Sequence, residues 1–270
     1  MKLMRRRNNK DLKWYIIPIL LILVIIGCGA YAIREITSYN TAISEYDNLD
    51  KLIVNDKDKD KPKEEEDDTP KFVVKDYPEL DIDFEELESI NPDFIGVIYI
   101  PVLELRYPIV HSKDNLEYLD KTFEGNTNAA GAIFLDYECS RIMNDKNVFI
   151  YGHNMKNQTM FGSLKRFMRE EGLCAEDPYI YVYTKNDVRK YQIFAYYIQN
   201  IDQNIIRPLR NNNEYDEYME MIKEANLYEK ADAVSLYNRP NILTLYTCHG
   251  TSKTEKFLVN AALESRTLLD

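Results

Sequence analysis

The sequence predicts a mainly β fold with peripheral helices, a closed or nearly closed β structure, preceded by an N-terminal transmembrane helix. Three observations carry this. Short aromatic and β-branched runs recur through most of the chain beyond residue 90. Few helical patterns separate them, which disfavours a doubly wound sheet. One long apolar run stands near the N-terminus, and no internal repeat is visible.

Residues 14–33 carry no charge, and the run ends at Arg34. A bilayer-spanning helix needs about 20 such residues. Lys2, Arg5, Arg6, Arg7, Lys10 and Lys13 precede it. The bias of positive charge toward the cytoplasm keeps residues 1–13 inside and sends everything after Arg34 out. Pro18 is tolerated near the start of such a helix. Two processed alternatives stand beside the span. Ala30-Tyr-Ala32 is spaced like a signal-peptidase site, and Ile25-Ile-Gly-Cys28 resembles a lipoprotein cleavage box that would lipidate Cys28.

Ile36, Tyr39, Ile43, Tyr46, Leu49 and Ile53 recur at three- and four-residue steps, which predicts an amphipathic helix over 34–54. The repeat is too short for a coiled coil, so this helix is expected to lie against the domain that follows. Residues 55–71 are nearly all Lys, Asp, Glu and Pro. They bury too little apolar surface to order themselves and read as a solvated linker. The globular domain is expected over 72–270.

Within it, 84–90 reads as a short helix stopped by Asn91-Pro92, and 95–100 and 105–110 as strands joined by a turn near Pro101. Ser112 or Asp114 can cap a short helix through Leu119. Residues 132–135 and 148–151 are further strands. Residues 160–171 read as a helix ended by Gly172. Strands follow at 179–183 and 191–198, a helix at 214–227, and strands at 242–247 and 257–262.

The net charge of −11 argues against a nucleic-acid partner, which needs a clustered basic surface. The cysteines are Cys28, Cys139, Cys174 and Cys248. Cys28 lies in the apolar run, and no pair has Cys-x-x-Cys spacing. A Cys139–Cys174 disulfide is compatible with the sequence but not required by it. No EF-hand loop or His-x-x-x-His spacing suggests a metal.

Cys248 closes the strand-like segment 242–248, and His153 follows the strand-like run 148–151. A thiol needs help to ionise at neutral pH, and an imidazole can take its proton. His249 adjoins Cys248, but successive strand residues face opposite ways. His111 follows another strand and suits a surface position. His153, beside Gly152, is therefore the preferred partner. The ordinary structural alternative is that Cys248 is a small buried residue at a strand end.

Thr244-Leu-Tyr-Thr-Cys248 resembles the Thr-Leu-x-Thr-Cys signature of sortases, the cysteine transpeptidases of mainly Gram-positive bacteria. Tyr151-Gly-His153, with Met160-Phe161 after it, resembles the histidine segment of the class B branch. The likeness runs from about Asp83 onward and includes Asn115-Leu-Glu-Tyr-Leu119, Gly131-Ala-Ile-Phe-Leu-Asp136 and a helix-bearing insert before the cysteine strand.

The resemblance implies a sortase-type closed β-barrel, with Cys248 as nucleophile and His153 as general base and acid. It also implies a cation on the strand after the cysteine. Sortases carry arginine there, whereas this chain has Lys256, which keeps the charge but loses the planar fork. Arg207 and Arg239 are alternative donors, and Lys256 can equally be a solvated strand-edge lysine. By the same likeness Asn115, Leu119, Ile205, Ile206, Tyr246 and Thr247 are expected to bind substrate; Leu119, Ile205 and Ile206 can equally be core. Tyr246 stands where the family commonly has a small residue. Asn154 can orient the imidazole or serve as a turn residue.

The implied partners are the sorting-signal peptide of a surface protein, an amine of a peptidoglycan precursor or pilin, and the membrane itself. No cofactor is implied. The competing readings are an exported cysteine peptidase or wall hydrolase, and a catalytically impaired sortase-like binding module, which the Lys256 substitution favours.

Overall fold

The computed structural model describes residues 10–55, 75–200, 209–229, 234–248 and 254–269; for 10–15, Asn55 and Cys248 it describes the backbone alone. The expected linker 55–71 therefore lies outside the described residues, apart from Asn55.

Helix α1 (Lys10–Asp50) runs unbroken for 41 residues, about 60 Å at 1.5 Å per residue. Its first half is apolar and exposed: Ile16 to Ile26 offer their side chains to the surroundings. Its last turns dock on the rest of the protein. There the buried side chains are Ala42, Glu45 and Leu49, with Tyr46 packed beside them. This face differs from the one the spacing suggested. Ile36 stays exposed because contact begins only near Ser38, and Ile43 because the docked face runs through Ala42, Glu45 and Leu49. Arg106 clamps the end of the helix through paired bonds to Asp50 of 2.6 and 2.7 Å. The chain then turns, and Ile53 enters a strand rather than a further helical turn.

Strand β1 (Ile53–Asn55) pairs with β2 (Leu80–Ile82) as a small antiparallel ribbon. Asp83 caps α2 (Phe84–Ile90) by accepting from the Glu86 amide at 2.9 Å. Asn91 ends it, in extended backbone ahead of Pro92 as that proline requires.

Eight strands then close a barrel in the order β10-β8-β7-β3-β4-β5-β6-β9. They are β3 (Phe94–Ile100), β4 (Leu105–Val110), β5 (Ile133–Leu135), β6 (Asn147–Tyr151), β7 (Tyr179–Tyr183), β8 (Asp187–Asn200), β9 (Ile242–Cys248) and β10 (Glu255–Leu268). Two neighbouring pairs, β4–β5 and β6–β9, are parallel, and the other six are antiparallel. Ile98, Ile109, Ile133, Val148, Ile150, Leu243, Leu245 and Val259 pack together in one core, the apolar half of each alternation.

Strand alternation leaves Phe149, Thr244 and Leu258 on the opposite, outer face, where α5 (Asn212–Ala225) covers them. The register of this helix is pinned by a buried polar cluster. Asn260 Nδ2 donates to the Tyr218 hydroxyl at 3.0 Å and to Thr244 Oγ1 at 2.8 Å, and Thr244 donates to Asn147 at 2.8 Å.

Three elements depart from the sequence reading, the last strand among them, which runs on to Leu268 rather than ending at 262. Residues 160–171 form no single helix. A 3₁₀ turn (Phe161–Lys165) leads into α3 (Arg166–Arg169), then Gly172 at φ +81° opens α4 (Leu173–Glu176). Gly162 presses against the Met155 carbonyl, and Met160 sits at φ +52°, so the first turn is too tight for an α-helix. Strand β8 begins at Asp187, not 191, because its charged start is internally paired. Buried Arg189 donates to Asp187 at 2.9 Å, and Lys190 donates to Asp76 and Glu264. Cys139 and Cys174 are both buried free thiols, and no disulfide links them.

Candidate active site

The strand order places Cys248 and Lys256 on adjacent strands and His153 just past the end of a third. On β9 the backbone of Cys248 is the Cα partner of Lys256 on β10. On its other side β9 runs parallel to β6, with Tyr246 opposite Tyr151. The Gly152 amide continues that ladder, donating to the Tyr246 carbonyl at 3.2 Å. His153 follows two residues past the end of β6, beyond the last ladder pair Tyr151–Tyr246. Adjacent strands are about 4.8 Å apart, so Cys248 and Lys256 are direct neighbours, and His153 follows the strand that flanks β9 on its other side.

Lys256 is not on an edge. Strand β10 is paired on both sides, with Gln199 of β8 and with Cys248, so the strand-edge expectation gives way. The Lys256 ammonium sits 5.8 Å from the centre of the Tyr246 ring, within reach of a cation–π contact. The Tyr246 ring meets Tyr151 edge-on at 5.2 Å. Of the alternative cations, Arg207 lies outside the described residues. Arg239 is committed to Asp216 through two bonds of 2.8 Å. It also precedes β9, at the other end of that strand, whose six steps from Ile242 to Cys248 span about 20 Å.

The imidazole of His153 is held by the loop between β4 and β5. Its Nε2 lies 2.5 Å from the Leu119 carbonyl. A carbonyl only accepts, so Nε2 carries hydrogen and Nδ1 is the basic nitrogen of the neutral ring. Gly131 sits under this bond at φ +58°. A Cβ there would stand 2.8 Å from both His153 Cδ2 and the Leu119 carbonyl, and 2.7 Å from the Tyr118 carbonyl. Only glycine fits.

The Gly131 carbonyl accepts from the Tyr46 hydroxyl of α1 at 2.7 Å. Burial, reinforced by the neighbouring Glu45 carboxylate, holds that phenol well above its ordinary value, so it remains a donor. Asn154 bridges Met160, folding the segment after His153 back on itself, with the Phe161 amide donating to the His153 carbonyl.

The remaining candidates separate. Asn115 is fixed from both sides of its amide: Nδ2 donates to Asp136 at 3.1 Å and Oδ1 accepts from the Tyr137 amide at 3.0 Å. Asp136 also accepts from the Tyr151 hydroxyl at 2.5 Å, so Asn115 is tied to the strand that leads to His153. Leu119 is exposed rather than core, and Leu116 beside it more so. Tyr246 is half-buried, on the outer face. Thr247 alternates to the other face, where it is buried opposite Phe257. Ile205, Ile206 and His249 lie outside the described residues. Among the described residues no cluster of His, Cys, Asp and Glu can hold a metal.

Sequence reasoning missed Gly131, Tyr46 and the Leu119 carbonyl. A glycine between Ala130 and the apolar run 132–135 is a visible signal for a left-handed turn. A backbone acceptor leaves no trace in side-chain identity.

Residues 98–264 match the family model of the sortase domain. The chain belongs to the sortase family, on its class B branch. It is 32% identical to sortase B of Listeria monocytogenes over 174 residues, 63% of this chain and 69% of that one. It is 30% identical to sortase B of Staphylococcus aureus over 183 residues, 66% and 73% of the two chains. Among solved structures, Clostridium perfringens sortase B superposes with a TM-score of 0.62 at 30% identity, covering 67% of this chain and 99% of that one. A Staphylococcus aureus sortase B–substrate complex gives 0.61 at 27% identity, covering 67% and 83%. Membership of the family makes this chain a cysteine transpeptidase of the sortase type, built on the family's closed barrel.

Proposed function

We propose that this sortase is held at the outer face of a membrane by the apolar half of α1. There it cleaves the sorting signal of surface proteins and passes the acyl group to a cell-wall or pilin amine. What supports this reading is the cross-strand pairing of Cys248 with Lys256, together with His153 leaving β6, the parallel neighbour of the cysteine strand.

The Cys248 thiolate attacks the carbonyl carbon of the scissile bond. Lys256 and backbone N–H groups stabilise the oxyanion as the tetrahedral intermediate forms. It collapses as the C–N bond breaks, and His153 delivers a proton to the departing amine, leaving a thioester on Cys248. The incoming amine adds to the thioester, loses its proton to His153 and expels the thiolate. Water entering instead gives hydrolysis. Asn115, Leu119, Tyr246, Ile205 and Ile206 shape the peptide groove. Thr247, turned away from that face, contributes through the strand that presents the thiol.

Support for the anchor comes from an uninterrupted apolar stretch from Ile16 with mean hydropathy 2.8, none of it buried against the protein. The six basic residues before it fit a cytoplasmic N-terminus.

The test is to incubate the detergent-solubilised chain with a panel of pentapeptide signals and amine acceptors. One signal is expected to be cleaved, with an acyl mass added to the Cys248 peptide and amine-dependent product. Turnover that survives Cys248→Ala overturns the assignment.

A further inference from the structure

The helix that leaves the apolar segment reaches the histidine's support through one hydroxyl. We propose that Tyr46 is a positioning residue for His153, so that the docked end of α1 sets the orientation and tautomer of the imidazole. The proposal rests on His153 serving as the acid–base group.

Three sets of contacts carry it. First, the Tyr46 hydroxyl donates to the Gly131 carbonyl at 2.7 Å and accepts from the Phe123 amide at 3.3 Å. It therefore ties both ends of the 123–131 loop to the helix. Second, Gly131 lies so close beside both partners of the His153–Leu119 bond that a Cβ on it would clash with each, so the position of this residue bounds the space of the ring.

Third, the rest of α1 grips the same loop. Glu45 accepts from Thr122 Oγ1 at 2.8 Å, from the Glu124 amide at 3.0 Å and from Asn126 at 3.2 Å. Two turns earlier in α1, the Ser38 carbonyl accepts from Asn128 at 2.8 Å, while Asn128 Oδ1 holds the Ala130 amide. A loop fastened at 122, 124, 126, 128 and 131 to one helix moves with that helix.

A buried glutamate and a buried phenol spent on a surface loop are more than simple docking requires. The apolar contacts of Ala42 and Leu49 already seat the helix. The polar set fixes where the loop stands, and through Gly131 it fixes the nitrogen that keeps the hydrogen. When Nε2–H is bonded to Leu119, Nδ1 is free to exchange a proton with the thiol. If the support loosens, the ring can rotate or exchange tautomers and the base is lost.

The experiment compares the full chain in detergent micelles with Tyr46→Phe and Glu45→Gln. The His153 nitrogens are read by long-range proton–nitrogen NMR, with His153→Gln as the assignment control. Transpeptidation is measured in parallel. Tyr46→Phe is expected to populate the Nδ1–H tautomer, to lower kcat by roughly tenfold and to leave KM within about twofold. Glu45→Gln, which loosens the same loop without touching Gly131, is expected to move the tautomer ratio less, in the same direction.

An unchanged tautomer ratio in both folded variants overturns the proposal, as does a rate loss carried by KM alone. Full activity of His153→Ala would sink the acid–base assignment, a separate outcome that the tautomer spectra do not depend on.

Discussion

Lys256 stands directly across the antiparallel ladder from Cys248, and its ammonium reaches back over the ring of Tyr246. A cation at that position is built into the barrel wall between two paired strands, not offered from a loop. An arginine substituted at this position would present its guanidinium from the same place in the wall.

Lys256→Ala is expected to reduce kcat/KM by about 10²-fold, the size of one lost oxyanion donor. Lys256→Arg is expected to equal or exceed the native rate, because two N–H groups can then share the oxyanion. Steady-state kinetics on both variants decide it. An alanine variant as active as the native chain would leave Lys256 only its packing on Tyr246.

Burial pushes the Cys174 thiol up to about 12. A raised thiol stays protonated, and so unreactive, through the whole range below that value. Thiol alkylation between pH 6 and 8 is therefore expected to spare Cys174 and, in a Cys28→Ser background, to fall on Cys248. Peptide mapping of the alkylated protein checks this. Equal labelling of Cys174 and Cys248 under native conditions would contradict it.

Gly131→Ala is expected to destabilise the fold by more than about 1 kcal/mol, from its positive φ alone. It is also expected to reduce kcat beyond what unfolding explains, since the new methyl meets His153 and its carbonyl acceptor. Thermal unfolding and kinetics at a temperature where both proteins are folded separate the two effects.

Asp187 is buried, which alone would raise its pKa. The bonds to Arg189 and Arg266 outweigh burial and hold the carboxyl below its usual value. A depressed carboxylate stabilises the fold above its unfolded pKa near 4, and that contribution is lost as pH falls through the folded value. The melting temperature is expected to drop below about pH 4. Asp187→Asn should be less stable at neutral pH and should show a flatter acid limb. Arg189→Met is the harsher change, about 3–5 kcal/mol, because a buried carboxylate loses a partner.

Much of this architecture was readable from local pattern. The apolar alternation at 242–247 and the aromatic run at 179–183 fold as strands where expected, and Asp83 starts α2 while Asn91-Pro92 stops it. Patterning failed where a partner distant in sequence rescued a locally poor choice. Arg189 and Lys190 look like loop residues until Asp187, Asp76 and Glu264 neutralise them inside β8. The 160–171 segment has helical spacing, but the tight approach of Gly162 to Met155 breaks its first turn. At the site, the residue types were legible and their juxtaposition was not. Nothing in the order of residues says that β6 lies parallel to β9, and it is this pairing that brings the strand leading into His153 beside the strand that ends in Cys248.

The parallel β6–β9 pair has a consequence for biogenesis. Strand β9 finds one neighbour almost a hundred residues earlier in the chain and the other in β10, which follows it. Ribosomal synthesis runs from the N-terminus, so the imidazole is made long before the sulfur, and the wall between them closes only after β10 has emerged. A nascent or half-translocated polypeptide therefore holds the cysteine strand with one flank still unpaired.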